Sequence, residues 1–264
     1  MSSPAAVYER ELPVSLERIW ENVLDWEHLP HLHSQAFSSI SLLAHNDDGW
    51  RAEIGLPGAP GKGAEIDVRL DRAGLCYWSR TVSGAGAGTE ILTRLFPRGP
   101  EATGIVVEFH LPWAADESKA SIGELYRTLY VELWDQDEAM MRERQRVLDA
   151  SQHVPGALDQ AADKTVSLGR VRELAHRLPL DVELSGRRLR VVSIDGRLVA
   201  YDTRCPHFGG PLAAGPGCEA VCPWHGYRFD VRSGASSDGR GLRMGRAGVI
   251  EINACEGDVT LRLP

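Results

Sequence analysis

The chain of 264 residues has no apolar run near the roughly 20 residues that a membrane helix requires. It has little cysteine, five residues in all, too few and odd in number for a disulfide scaffold. It has no excess of positive charge: 29 Lys and Arg face 37 Asp and Glu, a net charge of −8. That balance argues against nucleic acid and anionic membrane as partners. The start, Met1-Ser2-Ser3-Pro4, lacks a charged n-region and an apolar h-region, so a cytoplasmic location is expected. Charged residues make up 25% of the chain and hydrophobic residues 43%, as in an ordinary globular protein.

The texture changes near residue 150. Before it, Ser15 precedes an apolar face of Leu16, Ile19, Trp20, Val23 and Leu24 at helical spacing. An extended segment, Val7 to Leu12, comes first, and six strand-like runs between Ser38 and Leu111 follow. A long helical pattern then spans about Ser121 to Ala150. Pro155-Gly156 marks a break, so residues 151–164 read as a linker between a domain at 1–150 and one at 165–264. The second part reads as nearly all β, for an α+β chain overall.

Two cysteines sit in a pattern with histidines: Cys205-Pro-His207, fourteen residues, then Cys222-Pro-Trp-His225. Two Cys and two His at this spacing fit a Rieske [2Fe–2S] cluster, with the cysteines on one iron and the histidines on the other. A zinc finger pairs like ligands instead. Cys76, Cys218 and Cys255 lie outside any motif and read as inert thiols. From about 165 to 264 the flanking residues resemble Rieske ferredoxin-type domains, among them Val166-Ser-Leu-Gly169 and Phe229-Asp230. High-potential members of that family carry Ser and Tyr after the final His-Gly and an extra loop disulfide. Here Tyr227 and Phe229 take the first pair of positions, and Gly210 and Trp224 the second. The resemblance therefore implies a low-potential cluster.

The order strand, short helix, strands, long helix resembles the helix-grip fold of START-like, Bet v 1-like proteins. Glu21-Asn22-x-x-Asp25-x-x-His28-x-x-x-x-His33 resembles the mononuclear-iron motif of Rieske non-haem iron oxygenases. That resemblance implies His28 and His33 as Fe(II) ligands and Asp25 as a bridging acid that bonds a ligand histidine. It places the third ligand on the long helix, with Asp137 chosen and Glu138 and Asp135 as competitors. Spacing gives partial support: positions 28 and 33 lie about 140° apart on an ideal helix, so a bend near Pro30 must bring them together. Trp78, Phe96, Phe109, Met140 and Met141 are candidate cavity walls.

The oxygenase resemblance implies electrons passing from the cluster to Fe(II), which activates O₂ against a hydrophobic or aromatic small molecule. It implies a ferredoxin or flavin reductase as donor and a homotrimer. The rival expectation is a non-catalytic Rieske electron carrier with a ligand-binding or docking domain.

Overall fold

The computed structural model describes residues 3–152, 164–245, 249–252 and 257–263. Cys255 and most of the expected linker lie outside them. The chain forms two compact units, Met1–Gln145 and Arg146–Pro264.

In the first unit, β1 (Ala6–Leu12) leads into α1 (Leu16–Leu24). The Ser15 side chain accepts from the Arg18 N–H and caps α1. Asp25 ends it, and a 3₁₀ turn (Trp26–His28) leads into α2 (Leu29–Leu32). A meander follows: β2 (Ser39–Asn46), β3 (Gly49–Gly55), β4 (Gly63–Asp71), β5 (Cys76–Gly84), β6 (Glu90–Gly99) and β7 (Ala102–His110). All seven strands form one antiparallel sheet in the order β1-β7-β6-β5-β4-β3-β2. The two helices thus carry the chain from one sheet edge to the other. Bulges in β2, β5 and β6 bend the strands.

The helix α3 (Asp116–Gln152) has 37 residues, about 55 Å at 1.5 Å per residue. It begins five residues before the expected Ser121 and runs past the expected boundary, so residues 151–152 are helical and not linker. Leu133, Trp134, Asp137, Met140 and Met141 are all buried on it. Their spacing of 1, 4, 7 and 8 from the first defines one face. That face carries Trp134 and Met141 into the core with Val107 and Phe109. A long helix on a curved antiparallel sheet is the helix-grip fold.

The second unit contains β8 (Thr165–Arg170), α4 (Val171–Leu174), β9 (Leu180–Leu184), β10 (Arg187–Ile194) and β11 (Arg197–Asp202). Then come β12 (Ala213–Ala214), β13 (Glu219–Val221), β14 (Arg228–Asp230), β15 (Val249–Ile252) and β16 (Asp258–Arg262). They form three three-stranded sheets, β11-β10-β9, β12-β13-β14 and β15-β16-β8. Leu174, Leu189, Val191, Val259 and Leu261 close its own core. Among the described residues no helix is long and apolar enough to cross a membrane.

Candidate functional site

Two groups of metal-ligating side chains form, one in each unit.

In the second unit the ligand motif folds into two loops of the same design. Cys205 N–H donates to the Gly210 carbonyl at 2.8 Å, and Gly209 N–H donates back to the Cys205 carbonyl at 2.9 Å. Cys222 N–H donates to the Tyr227 carbonyl at 2.8 Å, and Gly226 N–H to the Cys222 carbonyl at 2.9 Å. Each cysteine is therefore tied to the residues four and five places on. The fourth residue needs a positive φ, +82° at Gly209 and +68° at Gly226, which glycine adopts freely. Proline follows each cysteine, and the next two backbone N–H groups turn onto its sulfur. His207 and Phe208 donate to Cys205, and Trp224 and His225 to Cys222.

The loops bring the two imidazoles together, with ring centroids 4.6 Å apart and planes at 81°. The two thiols also meet. Their mutual hydrogen bond is the largest influence on each, followed by burial; it pulls the Cys222 thiol down and pushes the Cys205 thiol up. The pair thus favours a thiolate on Cys222, with the shared proton kept on Cys205. Gly210 has no space for a side chain: a Cβ there would lie 2.7 Å from the Trp224 ring and 3.0 Å from Cys222 Sγ. Two thiols and two imidazoles on paired loops could hold a [2Fe–2S] cluster.

Residues 164–244 match the family model of the Rieske [2Fe-2S] domain. This region is a Rieske domain. It is 34% identical over 74 residues to apoptosis-inducing factor 3 of Mus musculus, a match covering 27% of this chain and 12% of that protein. The Rieske match thus spans a small part of that relative. Among solved structures, the ferredoxin of carbazole 1,9a-dioxygenase from Nocardioides aromaticivorans IC177 is 22% identical with a TM-score of 0.32, covering 39% of this chain and all of that one, 100%. A START superfamily protein from Mycobacterium smegmatis is also 22% identical with a TM-score of 0.39, covering 51% of this chain and 97% of that one.

In the helix-grip unit, His28, His33 and Asp137 come together, with one potential ligand atom from each within 4.8 Å of the others. All three are buried. His33 Nε2 lies 3.0 Å and His28 Nε2 3.5 Å from the same oxygen, Asp137 Oδ1. Ligands bound at about 2.1 Å at right angles sit about 3.0 Å apart, so these separations suit adjacent positions on one first-row metal ion. The histidines converge because the chain is broken between Asp25 and His28, upstream of the expected bend. Pro30 lies in the first turn of α2, which it starts.

The outer ring nitrogens are aimed at fixed acceptors. His33 Nδ1 lies 2.7 Å from Gln136 Oε1, which also accepts from the Gln35 amide at 3.0 Å. His28 Nδ1 is buried without a hydrogen bond, and Asp25 Oδ2 stands 3.5 Å away. Gln136 Oε1 stands outside the His33 ring and Asp25 Oδ2 outside the His28 ring, so with a metal ion bound the ring protons would sit on Nδ1 and the Nε2 lone pairs would be available to the ion. Burial by itself raises the Asp137 pKa. The His33 hydrogen bond and charge, the His28 charge and the Asn22 amide outweigh burial and hold the carboxyl below its ordinary value. The His33 pKa is raised: burial opposes this, and the bond and charge of Asp137 with the Gln136 bond overcome it. The competitors go elsewhere: Asp135 and Glu138 pair with Arg10 at 2.5 and 2.6 Å. The remaining histidine of the segment, His31, lies on the exposed side of α2.

A cavity of about 120 Å³ opens over the triad, walled by Leu29, Phe37, Trp50, Val68 and Trp134. None of the five expected wall residues lines it. Trp78 alternates to the other sheet face from Tyr77, which does line the cavity, and stacks under Arg80 at 5.6 Å. Phe109, Met140 and Met141 are packed in the interior, and Phe96 is exposed. Gln136 was not singled out from sequence; a polar residue beside a proposed ligand was the available signal. Replacing Gln136 with Leu will weaken divalent metal binding at the triad by about 10- to 100-fold, the usual cost of losing such a support. Gln136→Glu will keep most of it. Titration with Co(II), followed by its visible absorption, measures both.

Proposed function

We propose that this chain is a Rieske-type non-haem iron oxygenase. The observation that carries the reading is the convergence of two imidazole Nε2 atoms on one buried carboxylate oxygen, three potential ligand atoms around a single point. Two histidines and a carboxylate form the facial set of Fe(II) oxygenases. When bound, iron at His28, His33 and Asp137 would supply O₂ activation, and a [2Fe–2S] cluster at Cys205, His207, Cys222 and His225 would supply electrons of low potential.

The protein groups have separate tasks. Asp25 and Gln136 keep protons on the outer ring nitrogens and so keep the inner ones available. Asp25 is also the proposed bridge for electrons reaching the triad. Leu29, Phe37, Trp50 and Trp134 keep the cavity apolar and exclude bulk water from a hydrophobic substrate. The reading calls for a ferredoxin or flavin reductase as electron donor and for the homotrimer that the resemblance implies.

Metal content tests it. Anaerobically iron-loaded protein is expected to hold three irons and two acid-labile sulfides per chain. His33→Ala is expected to hold two irons with both sulfides. Two irons in the unaltered chain would defeat the oxygenase reading and leave an electron carrier.

A further inference from the structure

The cavity over the triad narrows the class of molecule it receives. Its volume of about 120 Å³ lies below the void of roughly 150 Å³ that accepts one benzene ring. One ring fits with small adjustments of the walls, and a second fused ring would have to extend out through the mouth of the cavity.

Charge narrows it further. No Lys or Arg lines the cavity, whereas Asp25 and Asp137 both do. A divalent ion with these two carboxylates sums to zero. A carboxylate on the ligand would then be a buried charge without a partner, which is costly.

Of the polar groups that line it, Asn22 is committed to Asp137 at 3.1 Å and Tyr77 bonds Thr93, which leaves the hydroxyls of Ser79 and Tyr130. Tyr130, on α3 one and two turns before Leu133 and Asp137, lines the same cavity. Its ring is fixed edge-on against Phe109, centroids 4.9 Å apart. Its hydroxyl has no hydrogen-bond partner among the described residues. Burial, reinforced by the nearby Tyr77, Tyr126 and Asp137, pushes its pKa up, so it stays a neutral donor. A phenol hydroxyl inside a protein ordinarily finds a partner.

We infer that the pocket takes a neutral, single-ring molecule bearing one oxygen that accepts a hydrogen bond from Tyr130. The inference rests on the triad cavity being the substrate site.

Calorimetric titration of the full chain, iron-loaded and anaerobic, with phenol, toluene, benzoate and 1-naphthol tests it. Phenol is expected to bind at least tenfold more tightly than benzoate or 1-naphthol. It is expected to exceed toluene by about fivefold, the worth of one hydrogen bond. Tyr130→Phe is expected to erase the preference for phenol over toluene and to leave toluene binding within twofold. Benzoate or 1-naphthol binding as tightly as phenol would overturn the inference. So would the absence of binding by all four, an unchanged phenol preference in Tyr130→Phe, or loss of toluene together with phenol. The iron count separates the two readings. Two irons with the expected ligand ranking defeats the oxygenase reading alone, and three irons with another ranking defeats the ligand class alone.

Discussion

Asp137→Asn will leave a chain with its Rieske cluster intact and its triad unable to hold iron. Asp137 Oδ1 is the point on which both Nε2 atoms converge, so the substitution removes the negative charge that balances a divalent ion. It also puts an amide where an acceptor is needed: if the –NH₂ faces the rings, two lone pairs meet a weak donor in place of a cation. The loss is expected to exceed the roughly 100-fold upper range seen for residues that only support a ligand. Iron should fall from three to two per chain, sulfide should stay at two, and substrate-dependent O₂ uptake should vanish. Asparagine has the volume of aspartate and can still accept from Asn22, so the fold should persist, and circular dichroism will show this. Retention of the third iron would remove Asp137 from the ligand set.

Gly210→Ala will empty the other centre. This glycine does not need an unusual φ; it needs the absence of a side chain. A methyl group would press on the Trp224 ring and on Cys222 Sγ, at 2.7 and 3.0 Å, inside the closest approach that carbon tolerates. The strand of loop from Cys205 to Gly210 must then move, and with it the bond from Cys205 N–H to Gly210. Most of the chain is expected to fold without cluster, read as lost visible absorption and lost sulfide. Adding Trp224→Ala to Gly210→Ala opens the space beside residue 210 and is expected to restore part of the cluster. Full cluster content in Gly210→Ala would show that the loop accommodates the methyl without cost.

Both substitutions bear on what could be read from the sequence. The fold was legible where one physical period dominates. Ser15 announces α1, and alternating strands between Gly and Asp turns announce the meander. Spacing alone marks Cys205, His207, Cys222 and His225, because Cys-Pro-x repeated with glycine four residues after each cysteine is a local pattern. The first residues of α3 were missed because Asp116 to Lys119 are polar and carry no apolar period. The cavity walls were missed for a different reason. Trp78 and Tyr77 are neighbours in sequence but lie on opposite sheet faces, and bulges in the sheet obscure which face is which.

Asp137 was distinguishable from Asp135 and Glu138 by helical phase. It shares the buried face with Leu133, Trp134, Met140 and Met141, whereas the other two flank it and reach Arg10. A carboxylate in the middle of an apolar stripe is costly unless something positive meets it, and that cost is the signal. Gln136 carries no such mark. Its role depends on the return of residues 33–35 from more than a hundred positions upstream.

The doubled loop of the Rieske domain has a consequence for the speed of electron transfer. Each sulfur is held by a closed ring of backbone bonds that belongs to its own loop, and the two rings are copies. Backbone amides already aimed at the sulfurs need not swing round when the charge between them changes by one electron. With a cluster bound, polar surroundings fixed in this way would change little between its oxidised and reduced forms. A cradle of this kind would let a bound cluster gain and lose an electron without waiting for the protein to move.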